Sequence, residues 1–320
     1  MCFEPIRYSL ETRNPKHKNM SSHTESTAPK ITVPYLQDLK ARGQKIVMIT
    51  AYDYPTARLA DESGCDLILV GDSLANTALG YENTLPVTFD EMLIATKAVN
   101  RGAHRAMIVA DLPFGTFQLN DEEAVRAAIR FIKEGGAEAV KIEGGRNRYA
   151  LVKQLVENGI PVMGHIGLTP QSVLQMGGYK VQGKSLSAAR KLLDDALSLE
   201  TAGVFALVLE VIPTPLGKLL SERVSIPTIG IGAGIHADGQ VMVMSDMLGL
   251  TFGKSAKFVR QYVDVKTIMS NAIKQYADDV RNQHYPAAKE SYEMPAELAE
   301  QIARNIGVDE NEIPYVIYAD

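Results

Sequence analysis

The chain has 320 residues, of which 46% are hydrophobic and 22% are charged, and its formal net charge is −5. These values are ordinary for a globular enzyme, and no apolar run approaches the ~18 residues that a membrane-spanning helix needs. Two cysteines exclude a disulfide framework and fit the reducing cytoplasm, and without a broad basic stripe the composition favours small-molecule substrates over nucleic acid.

Residues 1–30 are polar and rich in Ser, Thr and Lys. They lack the continuous apolar core of a secretory signal, so we expect a disordered N-terminal extension. Met20 is an alternative to Met1 as the start of the protein.

From about residue 31, a helical segment over 33–43 leads into an eight-fold alternation of apolar runs and amphipathic stretches. The runs are continuously apolar, as expected for parallel strands that are covered by helices on one side and face a filled interior on the other. Eight such units favour an α/β fold of the (β/α)8 TIM barrel type over an open sheet. The strands are predicted at 46–50, 66–72, 106–111, 139–144, 161–166, 206–211, 227–233 and 241–246.

Helix ends are marked by residues with special backbone preferences. Asn120 and Asp121 precede acidic residues and predict a helix N-terminus. Glycines that tolerate positive φ predict the ends of other helices, at Gly64, Gly102, Gly135 or Gly136, Gly159 and Gly203.

The last part of the chain is predicted to add helices after the barrel. One is expected over 256–280 and another over 294–307. Residues 285–320 contain two basic and eight acidic residues, which leaves residues 1–284 near neutral. We therefore divide the chain into the extension (1–30), a barrel domain (31–285) and an acidic C-terminal tail with a helix (286–320).

Charged or imidazole side chains stand at the C-terminal ends of five predicted strands. Since all these ends meet on one face of a parallel barrel, they predict a single active site. The residues are Asp72, Asp111, Lys141, Glu143, His165 and Glu210.

Several roles are open for these residues on sequence alone. Asp72 and Asp111 come from adjacent strands and could bind Mg²⁺ or simply cap loops. Lys141 and Glu143 project to the same side of their strand, so they could hold substrate and metal or form a structural ion pair. His165 could donate a hydrogen bond to a developing oxyanion or be a core residue, and Glu210 could act as a general base or pair with a neighbour.

Two glycine-rich segments have the composition of anion-binding loops. GGYKVQGK (177–184) and TIGIGAGIHADGQ (228–240) could each cradle an anion through backbone N–H groups. Tight turns around a buried pocket explain both segments equally well.

Seven motifs in this order resemble the ketopantoate hydroxymethyltransferase family, and the resemblance covers about residues 31–285. The motifs are VGDSLANTALGYENTLPVT (70–88), ADLPFG (110–115), VKIEGG (140–145), GHIGLTPQS (164–172), GGYKVQGK, LVLEVIP (207–213) and IGIGAG (229–234).

The resemblance implies a (β/α)8 barrel that assembles as a homodecamer. It implies transfer of a hydroxymethyl group from 5,10-methylenetetrahydrofolate to 3-methyl-2-oxobutanoate through an enolate stabilised by one Mg²⁺ per subunit. The product would be 2-dehydropantoate, on the route to pantothenate and coenzyme A.

The resemblance also assigns roles to residues of this chain. Metal ligands fall on Asp72, Asp111 and Glu143, and the proton acceptor falls on Glu210. Substrate contacts fall on Asp72, Ser73, Asp111 and Lys141, and His165 would assist at a substrate oxygen. Two positions depart from the family's pattern: this chain has Tyr81 where the family often has His, and Ala256 where it often has Pro. These differences affect what the resemblance implies about loop geometry and folate contacts.

Two other functions compete with this one. A metal-dependent lyase or mutase of the phosphoenolpyruvate mutase and isocitrate lyase group would share a related barrel, but it would carry a nucleophilic Cys or a distinct acidic loop. The only internal Cys here is Cys65, at the start of a strand. A catalytically silent scaffold would have lost metal or base residues, and none is lost.

Overall fold

The computed structural model describes residues 29–253 and 255–306. Almost all of the predicted N-terminal extension and the last part of the acidic tail lie outside the described residues. The division into three domains therefore stays a prediction. Within the described ranges, every helix is too short or too polar to span a lipid bilayer.

Eight parallel strands form a closed barrel in sequence order, and β8 pairs with β1 to complete the ring. The predicted (β/α)8 fold is confirmed. The strands are β1 Ile46–Thr50, β2 Leu67–Val70, β3 Met107–Asp111, β4 Ala139–Glu143, β5 Val162–Gly167, β6 Ala206–Glu210, β7 Thr228–Ile231 and β8 Gly239–Met242.

Helices precede, connect and follow these strands. They are α1 Val33–Ala41, α2 Tyr54–Glu62, α3 Leu74–Thr77, α4 Phe89–Gly102, α5 Asp121–Arg130, α6 Tyr149–Glu157, α7 Val173–Met176, α8 Leu186–Ala202, α9 Thr214–Arg223, α10 Met244–Met247, α11 Val265–Arg281 and α12 Ala296–Ile306. A π-helical turn, Phe131–Gly135, continues α5. The predicted cap at Asn120 is confirmed, since its side chain accepts a hydrogen bond from Glu123 N.

Two predicted boundaries near the end of the barrel are wrong. The last strand was predicted over 241–246 but ends at Met242, because Met244 N donates to Thr50 Oγ1 and the chain turns into α10. The helix predicted over 256–280 begins only at Val265. The segment before it hydrogen-bonds to α10 instead of forming helical turns, through Tyr262 N to Met247 O and Val265 N to Leu248 O.

Gly102 is the last residue of α4, as predicted, but it does not adopt the positive φ of a glycine stop, and the C-cap is Ala103. A Cβ at this position would lie 2.5 Å from Tyr54 O and 3.1 Å from Ala57 Cβ. Glycine therefore allows α4 to approach α2 closely, whereas Gly64, Gly136, Gly159 and Gly203 adopt the predicted positive φ.

Two apolar clusters hold the barrel together. The outer cluster lies between the strands and the surrounding helices. The inner cluster fills the barrel with inward-facing residues such as Met48, Leu67 and Val109, and includes Leu36 and Leu39 of α1. Lys40 of α1 binds Asp238, which directly precedes β8, so α1 lies across the N-terminal end of the barrel. The opposite, C-terminal end is left to the site.

Asp61 fixes the start of β3. Its buried carboxylate, on α2, accepts hydrogen bonds from the backbone N–H groups of His104, Arg105 and Ala106 at 3.0, 2.9 and 2.6 Å. The strand that delivers Asp111 to the C-terminal face is thus anchored at its other end.

We predict that Asp61→Ala lowers the free energy of unfolding by about 3 kcal/mol, because three backbone donors lose a charged acceptor. Urea unfolding measures this change. The neighbouring Glu62→Ala, which removes only an exposed pair with Arg58, should cost less than about 0.5 kcal/mol. Equal losses for the two variants would contradict the anchoring role.

Candidate active site

Barrel closure brings six of the sequence-predicted site residues together at the C-terminal ends of the strands. Asp72 follows β2, Asp111 and Glu210 end β3 and β6, and the others lie in β4 and β5. All are buried except Glu210, whose side chain keeps 15% of its surface exposed. These groups form one connected network.

One half of the network is built around Asp111. Its Oδ2 accepts a hydrogen bond from Asp72 N at 2.9 Å, and its Oδ1 lies 3.0 Å from Lys141 Nζ. Neighbouring strands supply these groups, since β3 pairs with β4 in a register that sets Asp111 beside Lys141.

His165 forms the centre of the other half. Its Nδ1 lies 3.1 Å from Lys141 Nζ and 3.5 Å from Glu143 Oε1, and its Nε2 lies 3.2 Å from Glu210 Oε2. Both ring nitrogens thus face charged side chains of the protein. This geometry favours a role in holding Glu143 and Glu210 over the core-residue alternative.

The charges in this buried space strongly perturb one another. Burial raises the pKa of Asp72, and the nearby Glu143 and Asp111 charges raise it further. Burial also raises the pKa of Asp111, although Lys141 opposes the shift. Burial opposes the charge on Lys141 as well, but the surrounding carboxylates prevail and raise its pKa.

Opposing influences act on His165. Burial and the Lys141 ammonium disfavour a protonated ring, whereas Glu143 and Glu210 favour it, and the balance raises the pKa of His165 to about 9. The site therefore contains four carboxyl groups against one lysine and one histidine, so acidic groups outnumber basic ones.

The donor set fits a divalent cation. Asp111 Oδ1 and Glu143 Oε1 are buried and accept no hydrogen bond of good geometry among the described residues, although Lys141 Nζ and His165 Nδ1 lie 3.0 and 3.5 Å from them. Carboxylate oxygens are the ligands that Mg²⁺ prefers, and a cation would relieve the excess negative charge. However, over residues 29–253 and 255–306 no three carboxylate, imidazole or thiolate side chains are arranged to hold one ion. The set of Asp72, Asp111 and Glu143 therefore stays a prediction.

Ser73 lies at the edge of the network. Its Oγ is 2.8 Å from Tyr52 Oη, and the substrate contact predicted for it is untested. A Cβ on Gly71 would lie 2.9 Å from Ser73 Oγ and 3.4 Å from Asp111 Oδ2. Glycine at this position thus leaves room for both side chains.

Sequence reasoning missed Gln171. This buried residue donates from its backbone N to Glu143 Oε2 at 3.0 Å, and from Nε2 to Asp72 Oδ2 and Leu112 O, each at 2.9 Å. It therefore links two carboxylates that come from different strands. A neutral amide in a loop gives little signal in a sequence; the available indications were its place just after the fifth strand and within the motif GHIGLTPQS.

Backbone strain occurs directly beside Glu210. Val211 has φ 49°, which is rare for a β-branched residue. Its N–H donates to Ile231 O, and its carbonyl accepts from Gln182 N. These contacts hold the chain in a sharp change of direction and so fix where the Glu210 side chain points.

The two glycine-rich segments differ in position. In GGYKVQGK, Tyr179 is close enough to the site that, beyond the effect of burial, Asp72, Glu210 and Glu143 raise its pKa. Residues 232–238, which follow β7, run along the outside of the barrel to the start of β8. Gly232, at the beginning of this segment, lies against Phe258. The turn interpretation therefore suits the second segment.

A polar cavity of about 480 Å³ lies next to the strand ends of β4 and β5. Its wall includes Arg146, Asn147, Thr169, Gln182 and Lys191. It provides space beside the network for a second, anionic or hydrogen-bonding molecule.

Comparison with known sequences identifies relatives along most of the chain. The model of the ketopantoate hydroxymethyltransferase family matches residues 30–288. The 3-methyl-2-oxobutanoate hydroxymethyltransferase of Koribacter versatilis is 54% identical over 278 residues, covering 87% of this chain and 94% of the relative. The enzyme of the same name from Carboxydothermus hydrogenoformans is 53% identical over 273 residues, covering 85% of this chain and 99% of the relative.

Among solved structures, phosphoenolpyruvate phosphomutase from Streptomyces platensis superposes with a TM-score of 0.53. The alignment covers 88% of this chain and 98% of that one, at 16% sequence identity. Identity this low shows a shared barrel fold and does not extend to the reaction.

We predict that Gln171→Met lowers the free energy of unfolding by about 2 kcal/mol, because Leu112 O and Asp72 Oδ2 lose their donor in a buried site. Chemical denaturation measures the loss. Gln175→Met is the matched control, since Gln175 is exposed and its side-chain amide makes no hydrogen bond among the described residues. A Gln171 variant as stable as the control would show that the bridge contributes nothing.

Proposed function

Because this chain belongs to the ketopantoate hydroxymethyltransferase family, we propose that it transfers a hydroxymethyl group from 5,10-methylenetetrahydrofolate to 3-methyl-2-oxobutanoate. The product would be 2-dehydropantoate, which leads to pantothenate. The observation that carries the proposal is the buried network in which a lysine and a histidine connect Asp111, Glu143 and the partly exposed Glu210.

Binding of the oxo acid is assigned to the Asp111 half of the network. The surrounding carboxylates keep Lys141 protonated despite its burial, so its ammonium can attract the substrate carboxylate. The backbone at Asp72 and the hydroxyl of Ser73 lie alongside. This arrangement would hold the substrate with its reacting carbon, C3, toward β6.

Glu210 is assigned as the base. It is the one carboxylate of the network with an appreciable exposed surface, so a substrate can reach it. It would accept the proton from C3, which leaves an enolate, and His165 would keep the carboxyl group oriented from 3.2 Å away. His165 is thus proposed to position the base and, through it, the substrate.

Asp72 and Asp111 would hold one Mg²⁺ per subunit, with Glu143 as a further ligand directly or through water. When bound, the ion would act as a Lewis acid toward the 2-oxo group and favour loss of the C3 proton. Lys141 and Gln171 would keep the three carboxylates apart and oriented.

In the second half of the reaction, C3 forms a bond to the one-carbon unit and the bonds from that carbon to the folate nitrogens are broken. Water supplies the hydroxyl oxygen, so tetrahydrofolate leaves. The polar cavity beside β4 and β5 offers room for the folate donor, and Arg146 and Lys191 could bind the carboxylates of the folate.

We also propose a cytoplasmic location, which the low cysteine content supports.

We predict that the protein with Mg²⁺ exchanges the C3 proton of 3-methyl-2-oxobutanoate for solvent deuterium without any folate. Glu210→Gln should slow this exchange by about 10²- to 10⁴-fold, the usual contribution of a general base. Proton NMR in D₂O follows the exchange, and Glu222→Gln, on the exposed face of α9, is the control.

Absence of exchange in the intact, Mg²⁺-supplied protein would contradict the proposed reaction. Exchange retained by Glu210→Gln would remove Glu210 from the role of base. Both outcomes can be read from the same spectra.

We further predict that Asp111→Asn weakens Mg²⁺ binding by at least about 10-fold, a loss that even outer-shell partners of a metal can cause. Titration calorimetry with Mg²⁺ measures the affinity without turnover. Asp66→Asn is the control, because Asp66 is also buried but pairs with Arg105 at the opposite end of the barrel. Unchanged affinity in Asp111→Asn would exclude Asp111 as a ligand.

A further inference from the structure

The short loop between β1 and α2 places Tyr52 at the C-terminal end of the barrel, beside the site. This loop consists of residues 51–53. Both of its ends are fixed, since Ala51 N donates to Leu69 O at 3.1 Å and the Asp53 side chain caps α2. Tyr52 therefore projects from a segment whose backbone has little freedom to move.

The Tyr52 side chain makes one apolar and one polar contact. Its ring packs against the outer cluster, which holds the side chain in place. Its Oη lies 2.8 Å from Ser73 Oγ, in the loop that follows β2. The contact thus joins two neighbouring strand ends, and it does so at the residue for which a substrate contact was predicted.

The backbone around Ser73 is fixed without any help from Tyr52. Asp72 N donates to Asp111 Oδ2 at 2.9 Å, and Ser73 O accepts from Thr77 Oγ1 at 2.7 Å. These bonds leave the direction of the serine hydroxyl free. Among the described residues, Ser73 Oγ makes its one hydrogen bond to Tyr52, so this bond sets that direction.

The chemistry of the two hydroxyl groups makes Tyr52 the donor. A phenol is more acidic than an aliphatic alcohol, so its O–H is the stronger donor, and the serine oxygen offers two lone pairs. Burial raises the pKa of Tyr52, which keeps the phenol protonated and able to donate. The proton of Ser73 is then available for another acceptor.

The serine hydroxyl lies in the half of the network to which the oxo acid is assigned. Ser73 Oγ and Asp111 Oδ2 are both within 3.4 Å of the point that a Cβ on Gly71 would occupy. Asp111 in turn lies 3.0 Å from the Lys141 ammonium. Ser73 keeps part of its surface exposed, so a bound molecule can reach it.

We propose that Tyr52 is a positioning residue for the oxo acid: it donates to Ser73 Oγ and so leaves the serine proton to bind the substrate carboxylate. This inference rests on the proposed function, since it requires an oxo acid bound between Ser73 and Lys141. Without the phenol, the serine hydroxyl samples several staggered orientations, and only some of them point toward the substrate.

Ser73 and Lys141 then contribute differently to binding. The ammonium of Lys141 acts as a point charge and attracts an anion from many directions. A hydroxyl held in one direction adds a hydrogen bond that depends on the orientation of the carboxylate. Tyr52 therefore affects how tightly the oxo acid is held, and it leaves proton removal by Glu210 unchanged.

Calorimetry with 3-methyl-2-oxobutanoate and the full, Mg²⁺-supplied chain tests this role. Tyr52→Phe keeps the ring and removes the hydroxyl, so it should raise the dissociation constant about 3- to 10-fold, the size of one hydrogen bond. The rate of C3 deuterium exchange at saturating oxo acid should change by less than about two-fold, as expected for an interaction that binds substrate and transition state equally.

Tyr35→Phe is the matched control and should change neither quantity. Tyr35 is also a partly buried tyrosine, but it belongs to α1 at the opposite end of the barrel. Circular dichroism checks that each variant is folded.

A double-mutant cycle shows whether Tyr52 acts through Ser73. Ser73→Ala should weaken binding by at least about 10-fold, because it removes a hydrogen bond to a charged group. Adding Tyr52→Phe to Ser73→Ala should then change the affinity by less than about two-fold, since the phenol has lost the group that it orients.

Two results would overturn the inference: losses that multiply in the double variant, or a Tyr52→Phe variant that binds the oxo acid as tightly as the wild type. Both leave the proposed function intact as long as the wild-type protein binds the oxo acid and exchanges its C3 proton. A wild-type protein that does neither would contradict the proposed function and this inference together.

Discussion

Closure of the sheet by the hydrogen bonds between β8 and β1 is the constraint on which the rest of the molecule depends. In an open sheet, residues from β2 and β6 would lie far apart. In the closed ring, Asp72, Lys141 and Glu210 are all joined through one network of contacts at the same end. The inner cluster and α1 fill the ring and its other end, so the polar groups have a rigid apolar floor.

The network is electrostatically costly, and this cost indicates what it is for. Four carboxylates share a buried space with one lysine and one histidine, and burial together with mutual repulsion raises the pKa of Asp72. The buried ion pair of Arg105 with Asp66, by contrast, has matched charges. Excess negative charge is better explained by a site that receives a cation and a substrate. Gln171 and the strained backbone at Val211 add to this interpretation, because both orient carboxylates in ways that the barrel itself does not require.

Much of this organisation could be predicted from the sequence because parallel barrel strands are buried on both sides. The continuous apolar run at 46–50 matches β1 at both ends, and a charged residue at the end of such a run predicts the site. Features that depend on contacts between distant segments were missed. The end of β8 is set by a hydrogen bond to Thr50, and the start of α11 by pairing with α10. Gly102 ends α4 as predicted, but the reason for a glycine there is the close approach of α4 to α2, which only the structure shows.

The sequence by itself determined the barrel, the family, and the six charged or imidazole side chains at the strand ends, because hydrophobic periodicity and motif order are local properties of the chain. Only the tertiary structure decided how these side chains pair: His165 between Glu143 and Glu210, Lys141 beside Asp111, and Gln171 as a bridge. It also showed that no residue of α11 is buried against the rest of the described chain. Such facts depend on distances between residues that are far apart in sequence, and an amphipathic pattern alone does not say which surface a helix covers.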